Sequence, residues 1–329
     1  MTQSFRLAPY GVPPTPFDAK GRETEIVMAH WRPDLAKKDR VDSYNAWRDD
    51  RLAEITEAIW PRFDYGSRRF VGPATEFAEA LTEFELRLMI EAFFGDDPML
   101  GKTPASPLAR QGIETHARHY VHEDVEPPGF NYAQYDRTLT KAGEAHVFAQ
   151  MLQAITTDVP GTKAAGHFWF KSQLQRPRPL HAALAFGLET GFTSETSARG
   201  QHPSIVSGHC FQGIMMGCAV LEHWIATDSG LTDDRRAAMG QYMVDVGDRR
   251  VFAGVHYPTD NIASWVLALA LIPEVFVDGM TIRSFVRDAI LTRSAVYALI
   301  AAHFPGHQAA APALVLLNRY GLGIAKATV

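Results

Sequence analysis

The sequence predicts an all-helical protein. Three observations carry this: long stretches with apolar residues at helical spacing, a lack of alternating apolar–polar runs, and Gly/Pro clusters that break the chain between the helical stretches. Residues 1–44 hold Pro13, Pro14 and Pro16 with little periodicity and read as an irregular N-terminal arm. Residues 45–329 read as a single helical domain, with a catalytic core at about 142–320. From Ala46, the residues Trp47, Leu52, Ile55 and Ile59 share a face until Pro61 stops the run. Thr75 to Phe94 is the next helix, with Phe77, Ala80, Leu81, Phe84, Leu88 and Ile90 apolar. Loops follow from Phe94 to Pro107 and from Glu123 to Tyr132. Ala142–Asp158 and Thr162–Leu174 are helical by pattern, and the Arg-Pro-Arg-Pro run at 176–179 must end the second of these. After a loop from Glu189 to Ser207, the expected helices are Gly208–Thr227, Asp233–Phe252, His256–Pro273, Thr281–His303 and Gln308–Tyr320. No strand of convincing length and no internal repeat is found.

Composition narrows the function classes. The chain has 329 residues, 46% hydrophobic and 21% charged, which suffices for a large core without staples. A net charge of −5 argues against a nucleic-acid binder, which needs a basic face. Cys210 and Cys218 lie eight apart in one expected helix, too far to bridge, and read as core thiols. The longest apolar run, Ile262–Ile272, stops at Pro273 and Glu274, well short of the roughly 20 residues of a membrane span. The N-terminus shows no apolar leader, so the expected location is cytoplasmic, or periplasmic for a chain trimmed of a signal. His116, His119 and His122 with Glu123 and Asp124 could line a helical face, but a solvated face is expected rather than a metal site. His167 and Trp169 read as a packed aromatic helix, and Met215, Met216 and Met239 as core. The irregular arm is compatible with a homodimer.

Three segments carry chemistry: Lys171 with Arg176-Pro177-Arg178-Pro179; His202 to His209; and Arg249-Arg250 with His256 and Asp260. A phosphate dianion in a pocket needs cations and N–H donors. Lys171 and Arg178 are seven residues apart, and the prolines present Arg178 from a rigid extended segment. Ser207 is a good N-cap and Gly208 lets a ligand approach the backbone, so this helix start is an anion site with His209 in its first turn. Pro258 suits a first turn, and Asp260 is four residues after His256, close enough to fix its tautomer. That leaves the other ring nitrogen as a nucleophile.

These segments resemble the tripartite signature of the type-2 phosphatidic acid phosphatase superfamily. That superfamily includes bacterial acid phosphatases, lipid phosphatases and vanadium-dependent haloperoxidases. Its pattern is a lysine, six residues and Arg-Pro; then Pro-Ser-Gly-His; then Ser-Arg, five residues, His, three residues and Asp. Lys171 and Arg178-Pro179 match the first part, Ser207-Gly208-His209 most of the second, and Arg250, His256 and Asp260 the third. Val206 stands where the pattern has proline, and Arg249 where it has serine. The resemblance implies a helical bundle of the acid phosphatase/vanadium haloperoxidase type with added N-terminal helices. It also implies that His256 is the nucleophile, Asp260 its orienter and His209 the acid and base. Lys171, Arg178, Ser207, Gly208 and Arg250 would then bind phosphate. Arg249 and Arg176 are assigned as possible supports behind that layer, Arg176 with a surface location as its alternative. The implied partner is a phosphorylated small molecule. No cofactor or metal is expected, except vanadate if the chain is instead a haloperoxidase.

Overall fold

The computed structural model describes residues 31–32, 34–72, 75–94, 166–190, 203–227, 232–252 and 254–324. The expected helix at Ala142–Asp158, most of the loops at 94–107 and 189–207, the whole loop at 123–132, and the histidines at 116, 119 and 122 lie outside the described residues. The helices are α1 (Lys37–Ala58), α2 (Thr75–Phe94), α3 (His167–Leu174), α4 (Pro179–Phe186), α5 (Gly208–Thr227), α6 (Asp233–Phe252), α7 (Pro258–Val275), α8 (Gly279–Arg293), α9 (Ala295–His303) and α10 (Ala311–Arg319). Strands β1 (Arg62–Asp64) and β2 (Arg69–Val71) form a small hairpin, and a 3-10 turn covers Gln308–Ala310.

Helix α7 is the centre. It is apolar on nearly every side, as a helix surrounded by protein must be, and every residue from Pro258 to Leu269 is buried. Helices α5, α6 and α8 pack around it to make a four-helix core. Small residues let α5 and α6 come close: a Cβ on Gly213 would sit 2.8 Å from Val246 Cβ, and one on Gly247 would sit 2.6 Å from Cys210 Sγ. Neither cysteine is in a disulfide, and both are buried. The N-terminal elements clamp this core. Helix α1 packs on α7 and α10, α2 on α4, and the hairpin on α3. The Trp60 indole N–H donates to the Leu174 carbonyl at 2.7 Å, joining the end of α1 to α3.

The all-helical class holds, with differences at particular elements. Helix α1 begins at Lys37, inside the stretch read as irregular. Its first turns are too charged to show periodicity, but Tyr44 packs on Trp31 at 5.3 Å and stacks on Trp47 at 5.8 Å. Helix α4 was not expected, although Pro179 at its start and a left-handed Gly187 at its end mark both limits. The hairpin was also missed. Its three-residue strands are too short for alternation, and it is set by the Asp64 carboxylate, which accepts from the Gly66 and Ser67 amides and the Ser67 hydroxyl. Helix α7 continues through Pro273 to Val275, because a proline in the last turn removes only one donor. The expected Thr281–His303 helix is two helices, divided at Ser294. The Ser294 hydroxyl caps α9 by accepting from the Tyr297 amide, and it donates to the buried Asp248 carboxylate of α6.

The α5–α6 contact yields a stability prediction. Gly247→Ala is expected to lower unfolding free energy by about 1–3 kcal/mol, the usual result of forcing a methyl into a filled core. A urea melt at pH 7.5 checks this. An unchanged midpoint would mean that α5 and α6 separate freely.

Candidate active site

The site forms where three chain turns meet at the start of α7. The first is the end of α3. Gln175 takes a left-handed conformation (φ 52°) and closes the helix, its amide donating to the Lys171 carbonyl. The chain then runs extended through 176–178 and starts α4 with Pro179. Lys171 is buried, and its ammonium donates to the Pro203 carbonyl at 2.6 Å and the Ser204 carbonyl at 3.0 Å. The Ser204 amide in turn donates to the Arg176 carbonyl at 2.9 Å. The first signature segment therefore holds the second in place.

That second segment leads into α5. The Cys210 amide donates to the Ser207 hydroxyl at 3.4 Å, which makes Ser207 the N-cap. Gly208 has no room for a side chain, since a Cβ would lie 3.0 Å from the His167 ring. His209 follows in the first turn and keeps partial exposure. The Ser264 hydroxyl donates to both the Ser207 and Asp260 carbonyls, at 2.9 and 2.8 Å, and so ties this turn to α7.

The third turn brings the histidine. The Arg250 carbonyl near the end of α6 accepts from the Val255 and His256 amides, both at 3.2 Å, with Gly254 left-handed (φ 72°) between them. Asp260, on the first turn of α7, accepts the Tyr257 amide at 3.1 Å on Oδ2. The same oxygen lies 2.9 Å from His256 Nδ1. On the other side of the ring, Nη1 of Arg178 is 2.9 Å from Nε2 and 2.8 Å from the Val255 carbonyl. A guanidinium can only donate, so Nε2 presents its lone pair and Nδ1 carries the proton toward Asp260.

The electrostatics agree with that tautomer. Burial first, then the charges of Arg178, Lys171, Arg250 and Arg176, hold the His256 imidazole well below its ordinary pKa. Burial pushes the Asp260 carboxyl up, and Arg176 opposes this most strongly among the neighbouring cations.

Glu85, Thr82 and Thr259 were not singled out from sequence. Arg176 was assigned as a possible support with a surface location as its alternative, and the surface alternative is corrected: its side chain is fully buried. It donates to Asp260 Oδ1 at 3.0 Å, Glu85 Oε2 at 2.8 Å, Thr259 Oγ1 at 2.8 Å and Thr82 Oγ1 at 3.1 Å. Its guanidinium also lies 3.8 Å from the centre of the Tyr257 ring. A sequence signal for Glu85 existed. It is a lone carboxylate among Leu81, Leu88 and Met89 on the buried face of α2. The Arg249 side chain lies outside the described residues.

The depressed His256 pKa has a consequence for stability. The unfolded residue, with a pKa near 6.5, takes up a proton that the native one refuses. Its contribution is therefore complete above pH 6.5 and declines as the pH falls toward the native pKa. Between pH 7.5 and 5, wild type should lose more unfolding free energy than His256→Asn, by at most about 1.4 kcal/mol per pH unit below 6.5. Equal pH slopes for the two proteins, measured in urea, would contradict this.

Residues 147–282 match the family model of the PAP2 superfamily. Comparison with curated proteins and comparison with solved structures both return no match. The matched stretch spans Lys171, Arg178, Ser207, Gly208, His209, Arg250, His256 and Asp260, and its described part forms α3 to the first turn of α8. Over residues 147–282, the chain is similar to the PAP2 superfamily.

Proposed function

We propose that the chain is a phosphatase that hydrolyses a phosphomonoester, or a related small phosphate compound, through a phosphohistidine on His256. The observation that carries this reading is the His256 ring, with Nδ1 on Asp260, Nε2 on Arg178, and Lys171 and Arg250 contributing positive potential. An imidazole kept neutral among cations is a nucleophile placed where an anion is attracted. Coarser support comes from the superfamily match, which favours a phosphoesterase-type enzyme.

Binding of the phosphate dianion replaces internal partners. Arg178 turns from Nε2 to a phosphoryl oxygen, and Lys171 and Arg250 hold the others with the first amides of α5. Nε2 then attacks phosphorus, and the bond to the leaving oxygen breaks as the N–P bond forms. His209 gives that oxygen its proton. Water next attacks phosphorus and passes a proton to His209, the N–P bond breaks, and inorganic phosphate leaves. Ester and water become alcohol and phosphate, and both histidines are restored. Asp260 stabilises the positive charge that His256 acquires in the phosphoenzyme. The protein's own cations supply the countercharge in this scheme. No helix among the described residues is long and apolar enough to cross a membrane.

His256→Ala should lower kcat on p-nitrophenyl phosphate by at least about 10³-fold, as loss of a covalent nucleophile does. A variant that kept most activity would sink the mechanism. His209→Ala should slow turnover by about 10²–10⁴-fold, the usual worth of a general acid–base. Because p-nitrophenolate leaves without a proton, this variant should accumulate an acid-labile phosphoenzyme, detected with ³²P-labelled substrate. Vanadate should compete with substrate, and activity should survive dialysis against EDTA. Peroxide- and halide-dependent bromination after vanadate loading, with no ester hydrolysis, would replace the phosphatase reading with a vanadium haloperoxidase.

A further inference from the structure

Glu85 lies on α2, outside the residues that match the family, yet its carboxylate reaches the base of the catalytic histidine's support. Oε1 accepts the Thr259 amide at 2.7 Å; Oε2 accepts the Thr259 hydroxyl at 2.8 Å and Arg176 Nη2 at 2.8 Å. The Thr259 hydroxyl receives a hydrogen from Arg176, so its own hydrogen goes to Glu85. Three donors on one carboxylate favour its ionised form; burial pushes the Glu85 carboxyl above its ordinary pKa, and Arg176 and Thr259 oppose that rise.

We infer that Glu85 and Arg176 are a positioning pair that orients Asp260 and sets the charge and tautomer of His256, making the N-terminal helix part of the catalytic apparatus. The kinetic part of this inference rests on the phosphatase reading. The geometry gives each oxygen one task. Arg176 occupies Asp260 Oδ1 at 3.0 Å, which leaves Oδ2 to the His256 ring and the Tyr257 amide. Arg176 is itself fixed in place by Glu85, by Thr82, and by the faces of Tyr257 and Trp60, at 3.8 and 5.5 Å. The Glu85 and Asp260 side chains are fully buried, so charge is felt strongly across this chain of contacts. Glu85 also accepts an amide of the first turn of α7, at the end where a helix favours negative charge. A brace that only held α2 against α7 would need no such sequence of charges.

The pair makes predictions of opposite sign. His256 is faced by Lys171 from α3, by Arg176 and Arg178 from the segment after it, by Arg250 from α6, and by Tyr257 and Asp260 at the start of α7, with Glu85 of α2 behind Arg176. His209 lies in the first turn of α5. Glu85→Gln removes a negative charge and leaves Arg176 less compensated, so His256 should protonate at lower pH than in wild type. Arg176→Met removes a positive charge and should move the same titration to higher pH. The readout is ¹⁵N NMR of histidine-labelled full-length protein, with the His256 signals assigned by their loss in His256→Asn. Each variant should also blur the fixed Nδ1–H tautomer at neutral pH, and lower kcat at least tenfold with KM changed less than threefold. Glu85→Gln/Arg176→Met should recover the melting temperature lost by the single variants, because an unpaired buried charge costs more than an absent pair. It should also bring the His256 titration back toward wild type while kcat stays low.

Single variants whose His256 titration is unmoved, or moves in one common direction, would overturn the inference. If neither single variant folds, the double variant decides: kcat and tautomer equal to wild type would reduce the pair to a brace. A wild type without esterase activity would overturn the phosphatase reading alone, and the NMR titrations would still test the pair.

Discussion

The Asp260 carboxylate is the constraint around which the other parts are arranged. It is buried, and its two oxygens face different groups: Oδ1 toward the Arg176 guanidinium, Oδ2 toward the His256 imidazole and the Tyr257 amide. Because it lies on the first turn of α7, its place is fixed by the most deeply enclosed helix among the described residues. Remove its charge and the histidine loses one of the two contacts that fix its tautomer, the other being Arg178, while the guanidinium behind it has one counterion fewer. The fold and the chemistry thus depend on the same atoms.

Such a cluster is costly to assemble. Each ion withdrawn from water loses several kcal/mol of solvation, which attraction and the hydrogen bonds of neighbouring groups must offset. That requirement explains the shape of the surroundings. Thr82, Glu85 and Thr259 take up what Asp260 cannot, and two aromatic rings cover the guanidinium faces. Lys171 and Arg178 meet backbone carbonyls of the neighbouring turns, which hold them in position before any ligand arrives. An anion bound as proposed would exchange partners with a prepared site instead of gathering loose side chains.

Much of this was legible in the sequence, and the reasons for the rest are specific. Helices α2, α5 and α6 were bounded correctly because their apolar spacing is long and their ends carry turn or capping residues. Lys171, Arg178, Arg250 and Asp260, which the family resemblance joins, do lie around His256. Glu85 was not, since nothing in a single helix tells which distant cation its buried carboxylate meets; that depends on how α2 docks. Arg176 was ambiguous for a related reason: its partners Thr82 and Glu85 are more than 90 residues away in sequence, and only the docking of α2 shows that its side chain is enclosed. The Ser294 break was hidden because its cause, Asp248, is 46 residues away in sequence.

The family match begins at residue 147, but the forces do not respect that line. The Trp60 indole holds the end of α3, the Arg32 amide donates to the Glu274 carbonyl at the end of α7, and Glu54 on α1 pairs with Arg319 on α10. Above all, Glu85 neutralises an arginine that has no contact with water. Excising residues 147–282 would strip a counterion from the interior and open the flank of α7 to solvent. What sequence similarity delimits as a module is, physically, the inner half of a larger object. The N-terminal helices are its outer wall, and a homologue that dispenses with them must solve the problem of that buried guanidinium some other way.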